Sequence, residues 1–381
     1  MENKVKQLNI LHTESSLGLG GQEFHTLNEC LGMKALGHKI FLVVQPGSQL
    51  LERAQHSGLK LLPLRMNRLT WGWLVVSFLK FIKQYQIDIV STHGSIDSWT
   101  AAIAGRLSKQ KPLVIRNRHK SVPISNTLRH RLLYHKLPDV VVTTGEQIQR
   151  DLIEKNGLNA SRVVSIPTGV DLSLFYPRDP DVHLKESFGL ELGDQVVGTI
   201  AFFRDYKGVG DFLQAAKIVH EKRRNVKFLV VGDGPEKNLV LQAIRDLALE
   251  GCVFLLGFRE DIPNILSIID VLVLSSVKAE GVPQVLTQAL AMERGVVATQ
   301  VGSIQEVVKH QETGLLVPPG NPEALALAIE EILKNPLLRK KLGGAGRQLI
   351  VRKYGMSEML QKTLTLYEIL LKRRGAVAEY G

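Results

Sequence analysis

Cysteine is scarce in this sequence: Cys30 and Cys252 lie far apart, in helix-like and strand-like surroundings. No metal-binding or redox spacing joins them, which excludes a disulfide scaffold and a Cys-rich metal module and suits a reducing compartment. There is no run of about eighteen uncharged apolar residues, so no membrane-spanning helix is expected. The opening residues, MENKVKQLNILHT, lack the architecture of a signal peptide. Low-complexity tracts and short regular repeats are missing too. No Asp-x-Asp stands in a strand-end loop of either half, so no resident metal is expected on a bound phosphate. Acid is missing altogether from residues 98–138. That stretch holds Arg106, Lys109, Lys111, Arg116, Arg118, Lys120, Arg129, Arg131 and Lys136, with His119, His130 and His135. Its aromatics are few (Trp99 and Tyr134), so it offers no stacking platform for single-stranded nucleic acid.

What is present is a chain of 381 residues, 44% of them hydrophobic, with a net charge of +11. The length exceeds one typical core, so two domains are expected. The charge implies an anionic partner: nucleic acid, anionic lipid or a phosphorylated substrate. A run of cations is commonly only a solvated face. Here the missing counter-charge favours a phosphorylated or otherwise anionic partner or an anionic leaflet, with nucleic acid as the competing partner. Arg116, Arg118, His119 and Lys120 follow the strand-like PLVIR and are the candidate anion-binding residues.

The first half alternates strand and helix, the mark of a doubly wound parallel sheet. LNILHT (8–13) reads as a strand, and a loop with Gly18, Gly20 and Gly21 precedes a helix. Bare backbone before a helix N-terminus suits close approach of a phosphate, or simply a tightly packed turn. A dinucleotide fingerprint fails here. Its third glycine falls on Glu23, and the next strand, KIFLVV, ends at Gln45 where a ribose-binding acid would stand. Residues 71–85 form an amphipathic helix for the core. Trp71 and Trp73 with Arg65, Arg68 and Lys80 leave a second reading as a membrane-surface element. His93 ends the strand IDIVST, on the side of the sheet where sites form.

The second half repeats the pattern. Arg204 and Lys207 follow a strand and precede a helix that starts near Gly208, two cations beside a helix N-terminus. Residues 271–306 read as strand (VLVL), polar loop with Glu280 and Gly281, helix, strand (GVVAT) and helix. Pro283 is expected in the first turn of the helix and Gly295 at its stop. The acid thus sits at the carboxyl end of a parallel strand, where open α/β sheets bind ligands.

Residues 271–306 resemble the donor-binding signature of retaining glycosyltransferase family four, including the lipopolysaccharide-core-type enzymes. The family pattern is a Glu, seven residues, a second Glu, then a small-residue helix and a Val-Val-Ala-Thr strand. Glu280 matches the first Glu, and Gln288 stands where the second is expected. Gly20-Gly21-Gln22-Glu23 is similar to the family's Gly-Gly-x-Glu loop, and residues 167–177 to its interdomain linker. The resemblance implies an α/β GT-B fold: two Rossmann-like doubly wound parallel-sheet domains facing across a cleft. The domains would be 1–170 on the acceptor side and 177–355 on the donor side, with a last helix of about 356–381 crossing back to the first. Closure would hinge near Val170 to Tyr176 and at the crossing near Tyr354.

The implied activity is retaining, metal-independent transfer of a sugar from a nucleoside-diphosphate sugar to an anionic or lipid-linked saccharide. Envelope polysaccharide or lipopolysaccharide synthesis is the expected setting. No cofactor beyond the donor and no nucleic acid partner is expected, and the location is cytoplasmic or peripheral on the inner membrane face. By resemblance Glu280 contacts the sugar and His93 lies near it as a second catalytic residue. Gly20, Gly21, Arg204 and Lys207 meet the diphosphate, which Gly281, Gln284 and Val285 help to line, and Gln288 meets the ribose. A Gln carbonyl still accepts a hydrogen bond, without the charge. Two alternatives remain. A non-catalytic nucleotide-sugar or anionic-glycan binder would explain Gln288, whereas a sugar-nucleotide epimerase would need more carboxylates than Glu280.

Overall fold

In VLVL every residue is buried, Val271 through Leu274 at 0–1% exposure. A strand covered on both faces is the product of a parallel sheet, because each crossover lays a helix over it. The computed structural model describes residues 6–119, 121, 124–278 and 280–379. Its chain divides into two units, Met1–Gly169 with Met356–Gly381, and Val170–Gly355. Among the described residues no helix is long and apolar enough to cross a membrane.

The first unit carries β1 (Asn9–Glu14), β2 (Lys39–Val44), β3 (Lys60–Pro63), β4 (Ile89–Thr92), β5 (Leu113–Arg118), β6 (Val140–Thr143) and β7 (Val163–Ser165). They pair in parallel in the order β3-β2-β1-β4-β5-β6-β7. The strand order reverses between β1 and β4, so the carboxyl ends of those two strands flank the crevice that such sheets use for ligands. Helix Met356–Glu379 belongs to this unit. Its Met359, Leu360, Leu364 and Tyr367 share a core with Leu27, Cys30 and Met33 of helix Gly21–Ala35. Gly32 makes the approach possible: a Cβ there would lie 2.4 Å from Leu360 Cδ1.

The second unit carries β8 (Gln195–Ile200), β9 (Val226–Val231), β10 (Val253–Gly257), β11 (Val271–Leu274), β12 (Gly295–Thr299) and β13 (Leu315–Val317). The order is β10-β9-β8-β11-β12-β13, again all parallel, with the reversal between β8 and β11.

Three local expectations are corrected. Pro283 is not in the first helical turn. It stands just outside helix Gln284–Ala291 with an extended backbone (φ −72°, ψ 127°). Gly295 does not stop that helix. Glu293 takes the left-handed turn (φ 58°), while Gly295 opens β12, where a Cβ would lie 2.9 Å from Ile332 Cγ2 and 3.1 Å from Asp270 O. Residues 302–306 form a 3₁₀ turn rather than an α-helix.

Candidate functional site

In the second unit, the loop after β8 and the loop after β11 are tied to each other. Gly208 adopts φ 61°, and a Cβ there would fall 2.0 Å from Ser275 O, so only glycine lets the two loops meet. Ser275 Oγ donates to Gly208 O at 2.7 Å, and Val277 N donates to Tyr206 O at 2.8 Å. The result brings Lys207 Nζ within 2.5 Å of Glu280 Oε1, which also accepts from Ser276 Oγ at 2.5 Å. The Lys207 and Glu280 side chains are 16% and 8% exposed. Glu280's backbone is fixed from behind: Ser303 N donates to its carbonyl at 3.2 Å, and a Cβ on Gly302 (φ 53°) would lie 2.1 Å from that oxygen. Arg204 is exposed, with its guanidinium carbon 5.2 Å from the Phe202 ring centre. Lys207 directly precedes the turn into helix Val209–Lys222, whose first N–H groups have no intrahelical acceptor.

Gly281 is buried, whereas Gln284, Val285 and Gln288 on helix Gln284–Ala291 are half-buried. Gln284 and Gln288 lie one turn apart on one helix face. This unit therefore assembles Arg204, Lys207, Glu280 and a helix start at its switch point. Ser276 and Gly302 complete it and were not singled out in the sequence. Their only signal there was a small residue beside the Glu280 loop or a glycine after β12.

The first unit holds the other candidates. Gly20 N donates to Glu23 Oε2 at 2.8 Å, so the N–H of Gly20 is spent on its own helix start. Gly21 is the first residue of that helix. Beside it Glu14 ends β1, receiving Ser16 N at 3.0 Å and Gln22 Nε2 at 2.7 Å. Burial, then the charges of Asp97 and Glu23, push the Glu14 carboxyl up to about 8 from 4.5. Asp97 is enclosed by donors, from Thr13 Oγ1 at 2.7 Å, Ser15 Oγ at 2.9 Å and Gly94 N at 3.0 Å.

The raised Glu14 pKa gives a signed prediction. The folded state holds this proton more tightly than the unfolded chain, so the stabilisation is complete below about pH 4.5 and is lost as pH rises through about 8. The thermal midpoint of the wild type should fall from about pH 5 to 9, and that of Glu14→Gln should fall less. Equal slopes for the two proteins would remove Glu14 as the cause.

His93 is 2% exposed. Its Nε2 faces His12 Nδ1 at 3.2 Å and its Nδ1 faces His119 Nε2 at 3.1 Å. The three rings stack, with centroids 5.5 and 5.3 Å apart. Burial, then the His119, His12 and His25 rings and the Arg116 charge, hold His93 well below the ordinary histidine range, so it is neutral. Both ring nitrogens of His93 thus face other histidines, His12 on one side and His119 on the other. Half-buried His119 is the outer end of the row.

Arg116, a candidate anion-binding residue, is turned into the first unit. It is 7% exposed, donates from Nη1 to His93 O at 2.9 Å and lies over the Tyr134 ring at 5.7 Å. Arg118 is half-buried and hydrogen-bonded to the Tyr134 hydroxyl. Burial pushes that phenol up, but the Arg116 and Arg118 charges outweigh it and leave it below its ordinary value. Residues two apart on a strand share a face, which is why both arginines reach one tyrosine. Lys120 lies outside the described residues. The residues that sequence reasoning missed in this unit are His12, Glu14, His25, Glu29 and Asp97. A histidine in the apolar strand LNILHT was the one available signal.

Comparison with known proteins bears on these arrangements. Residues 19–174 match the family described as Glycosyltransferase Family 4, and residues 183–349 match Glycosyl transferases group 1. N-acetyl-alpha-D-glucosaminyl L-malate synthase of Bacillus anthracis is 31% identical over 204 residues, 53% of this chain. The match spans only about half of that synthase, 52% of its length. UDP-Gal:alpha-D-GlcNAc-diphosphoundecaprenol alpha-1,3-galactosyltransferase of Escherichia coli is 26% identical over 305 residues, 77% of this chain and 78% of that protein. Among solved structures, a glycosyltransferase from Rickettsia africae superposes with a TM-score of 0.86 at 22% identity, covering 97% of this chain and all of that one. Anabaena Alr3699/HepE in complex with UDP and glucose gives 0.85 at 20% identity, over 95% of this chain and all of that one. Two parallel Rossmann-like sheets, a charged pair at the second switch point and two family matches in sequence along the chain agree: it has the GT-B fold and belongs to the family-four glycosyltransferases.

Proposed function

We propose that this chain is a retaining glycosyltransferase that moves a sugar from a nucleoside-diphosphate sugar to a hydroxyl of an anionic or lipid-linked saccharide. The observation that carries the reading is the Lys207–Glu280 pair at 2.5 Å, beside Arg204 and ahead of helix Val209–Lys222. As the bond from the anomeric carbon to the diphosphate breaks, negative charge grows on the leaving oxygen. Arg204, Lys207 and the first helical N–H groups supply positive charge fixed before the reaction starts. A bound metal is not needed for that charge balance. The N–H groups at the start of helix Gln284–Ala291, with Gly281, line the same diphosphate, and Gln288 accepts from the ribose.

Glu280 holds Lys207 in place and accepts from a sugar hydroxyl. The new bond forms from the acceptor oxygen on the face the diphosphate leaves, and the acceptor proton passes to the departing phosphate. No side chain needs to act as covalent nucleophile. In the first unit Gly20 shapes the turn into helix Gly21–Ala35, whose start is an anion-binding candidate of its own. His93 acts through His119, and Arg118, half-buried beside Tyr134, is among the cations offered to an anionic acceptor. The Anabaena complex with UDP and glucose supports a nucleotide-sugar donor, and the E. coli relative's diphosphoundecaprenol substrate supports a lipid-linked acceptor.

Envelope polysaccharide synthesis, including lipopolysaccharide, is the setting this implies, at the inner face of the cytoplasmic membrane. Helix Trp71–Gln84 supports peripheral attachment there. Leu69, Trp71, Trp73 and Val76 are exposed at 96, 37, 55 and 48%, next to exposed Arg65, Arg68 and Lys80. Aromatic rings beside cations suit an anionic headgroup layer.

Thermal-shift titration with UDP, GDP, ADP and CDP tests the donor site. One nucleotide should raise the midpoint, with the shift largely lost in Arg204→Ala and enlarged in Gln288→Glu. No shift from any of the four at millimolar concentration would favour a protein that does not use nucleotide sugars.

A further inference from the structure

Glu29 is a carboxylate in the core of the first unit, 3% exposed, on helix Gly21–Ala35. Its recorded partners are distant for a charged group: His25 Nε2 at 3.4 Å from Oε2 and the Tyr367 hydroxyl at 3.3 Å from Oε1. A buried carboxylate is costly unless a cation or strong donors balance it. Around it stand His12 (0% exposed) and His93 (2%). One ligand atom from each of His12, Glu29 and His93 lies within 4.8 Å of the other two. His12 Nδ1 and His93 Nε2 face each other at 3.2 Å. Two imidazole nitrogens on one tetrahedral zinc, at about 2.0–2.1 Å each, are separated by about 3.3–3.4 Å.

We propose that His12, Glu29 and His93 bind a divalent transition-metal cation of the zinc class. Two imidazoles and one carboxylate are a donor set that zinc accepts, leaving a fourth position. The surrounding contacts are those that orient ligands. His93 turns its other nitrogen to His119, and Glu29 turns one oxygen to Tyr367 and the other to His25. The cation would join β1, the end of β4 and helix Gly21–Ala35, and through Tyr367 helix Met356–Glu379. It lies in the first unit, includes none of Arg204, Lys207 or Glu280, and shares only His93 with the residues of the proposed transfer. The inference stands whether or not the proposed activity does.

The test uses the full chain, loaded with equimolar zinc and dialysed against metal-free buffer, with metal measured by plasma mass spectrometry. About one zinc per chain is expected in the wild type and under about a tenth in Glu29→Gln. Wild-type protein retaining under about a tenth, or equal retention in Glu29→Gln, overturns the site, the latter showing adventitious binding to surface histidines. Should Glu29→Gln not fold, cobalt loading of the wild type decides. Intense visible absorption of a four- or five-coordinate ion supports the site, and the pale spectrum of a hydrated six-coordinate ion overturns it.

Discussion

Lys207→Met should lower kcat for sugar transfer by about 10²- to 10³-fold, the usual loss when one preorganised donor to a developing oxyanion is removed. The side chain offers a cation 2.5 Å from Glu280 Oε1 and is only 16% exposed. The same substitution strips the counter-charge from a nearly buried carboxylate, so the protein will also lose stability, and the two effects must be separated. A double-mutant cycle does this. In Lys207→Met/Glu280→Gln the orphaned charge is gone, and Ser276 Oγ can still donate to the amide oxygen. The thermal midpoint should return most of the way to the wild-type value while transfer stays at the single-mutant level or below. If the double variant regains transfer along with stability, Lys207 is a structural partner of Glu280 and the diphosphate assignment fails. Slow hydrolysis of the donor without acceptor should fall in parallel with transfer, since both break the same bond.

The second large effect belongs to a residue with no functional group. Gly302→Ala should reduce kcat/KM by at least about tenfold, because a shift of about an ångström in a positioned catalytic group costs that much or more. The added Cβ would lie 2.1 Å from Glu280 O, a backbone atom that cannot rotate away, and the residue must keep φ 53°. Either the Glu280 loop moves or residues 302–306 do. Strain of this kind costs about 1–3 kcal/mol, and each kcal/mol lowers the thermal midpoint by about 2–4 °C in a unit of this size. Gly251→Ala is the control, since a Cβ there meets nothing within 4 Å. It should leave both quantities unchanged. Wild-type transfer in Gly302→Ala would mean that Glu280 tolerates displacement and is not a sugar contact.

The sequence determined the elements and their grammar. Continuous apolar runs such as VLVL and KIFLVV, separated by helical spacing, specify parallel strands with covered faces, because that pattern is local and periodic. It also put Arg204, Lys207 and Glu280 at carboxyl ends of strands, and family resemblance supplied their grouping. Local pattern failed where two conformations share one signal. Gly295 reads as a helix stop, yet it serves a close approach to Ile332 and Asp270, and Glu293 makes the turn.

Only the tertiary structure decided which side chains meet. Lys207 and Glu280 lie 73 residues apart, and His12 and His93 lie 81 apart. Such pairs depend on strand order, on the left-handed turn at Gly208 and on the backbone contact at Gly302, none of which has a periodic trace. The same holds for charge. The acid-free stretch reads as one basic face, but strand alternation and burial turn Arg116 inward to His93 O and Tyr134. Glu14 reads as an ordinary loop carboxylate, but burial, with Asp97 and Glu23 packed beside it, pushes its pKa up to about 8. Sequence fixes which groups the chain possesses. Folding sets the dielectric around them and the neighbours they face, and these decide which remain free to act.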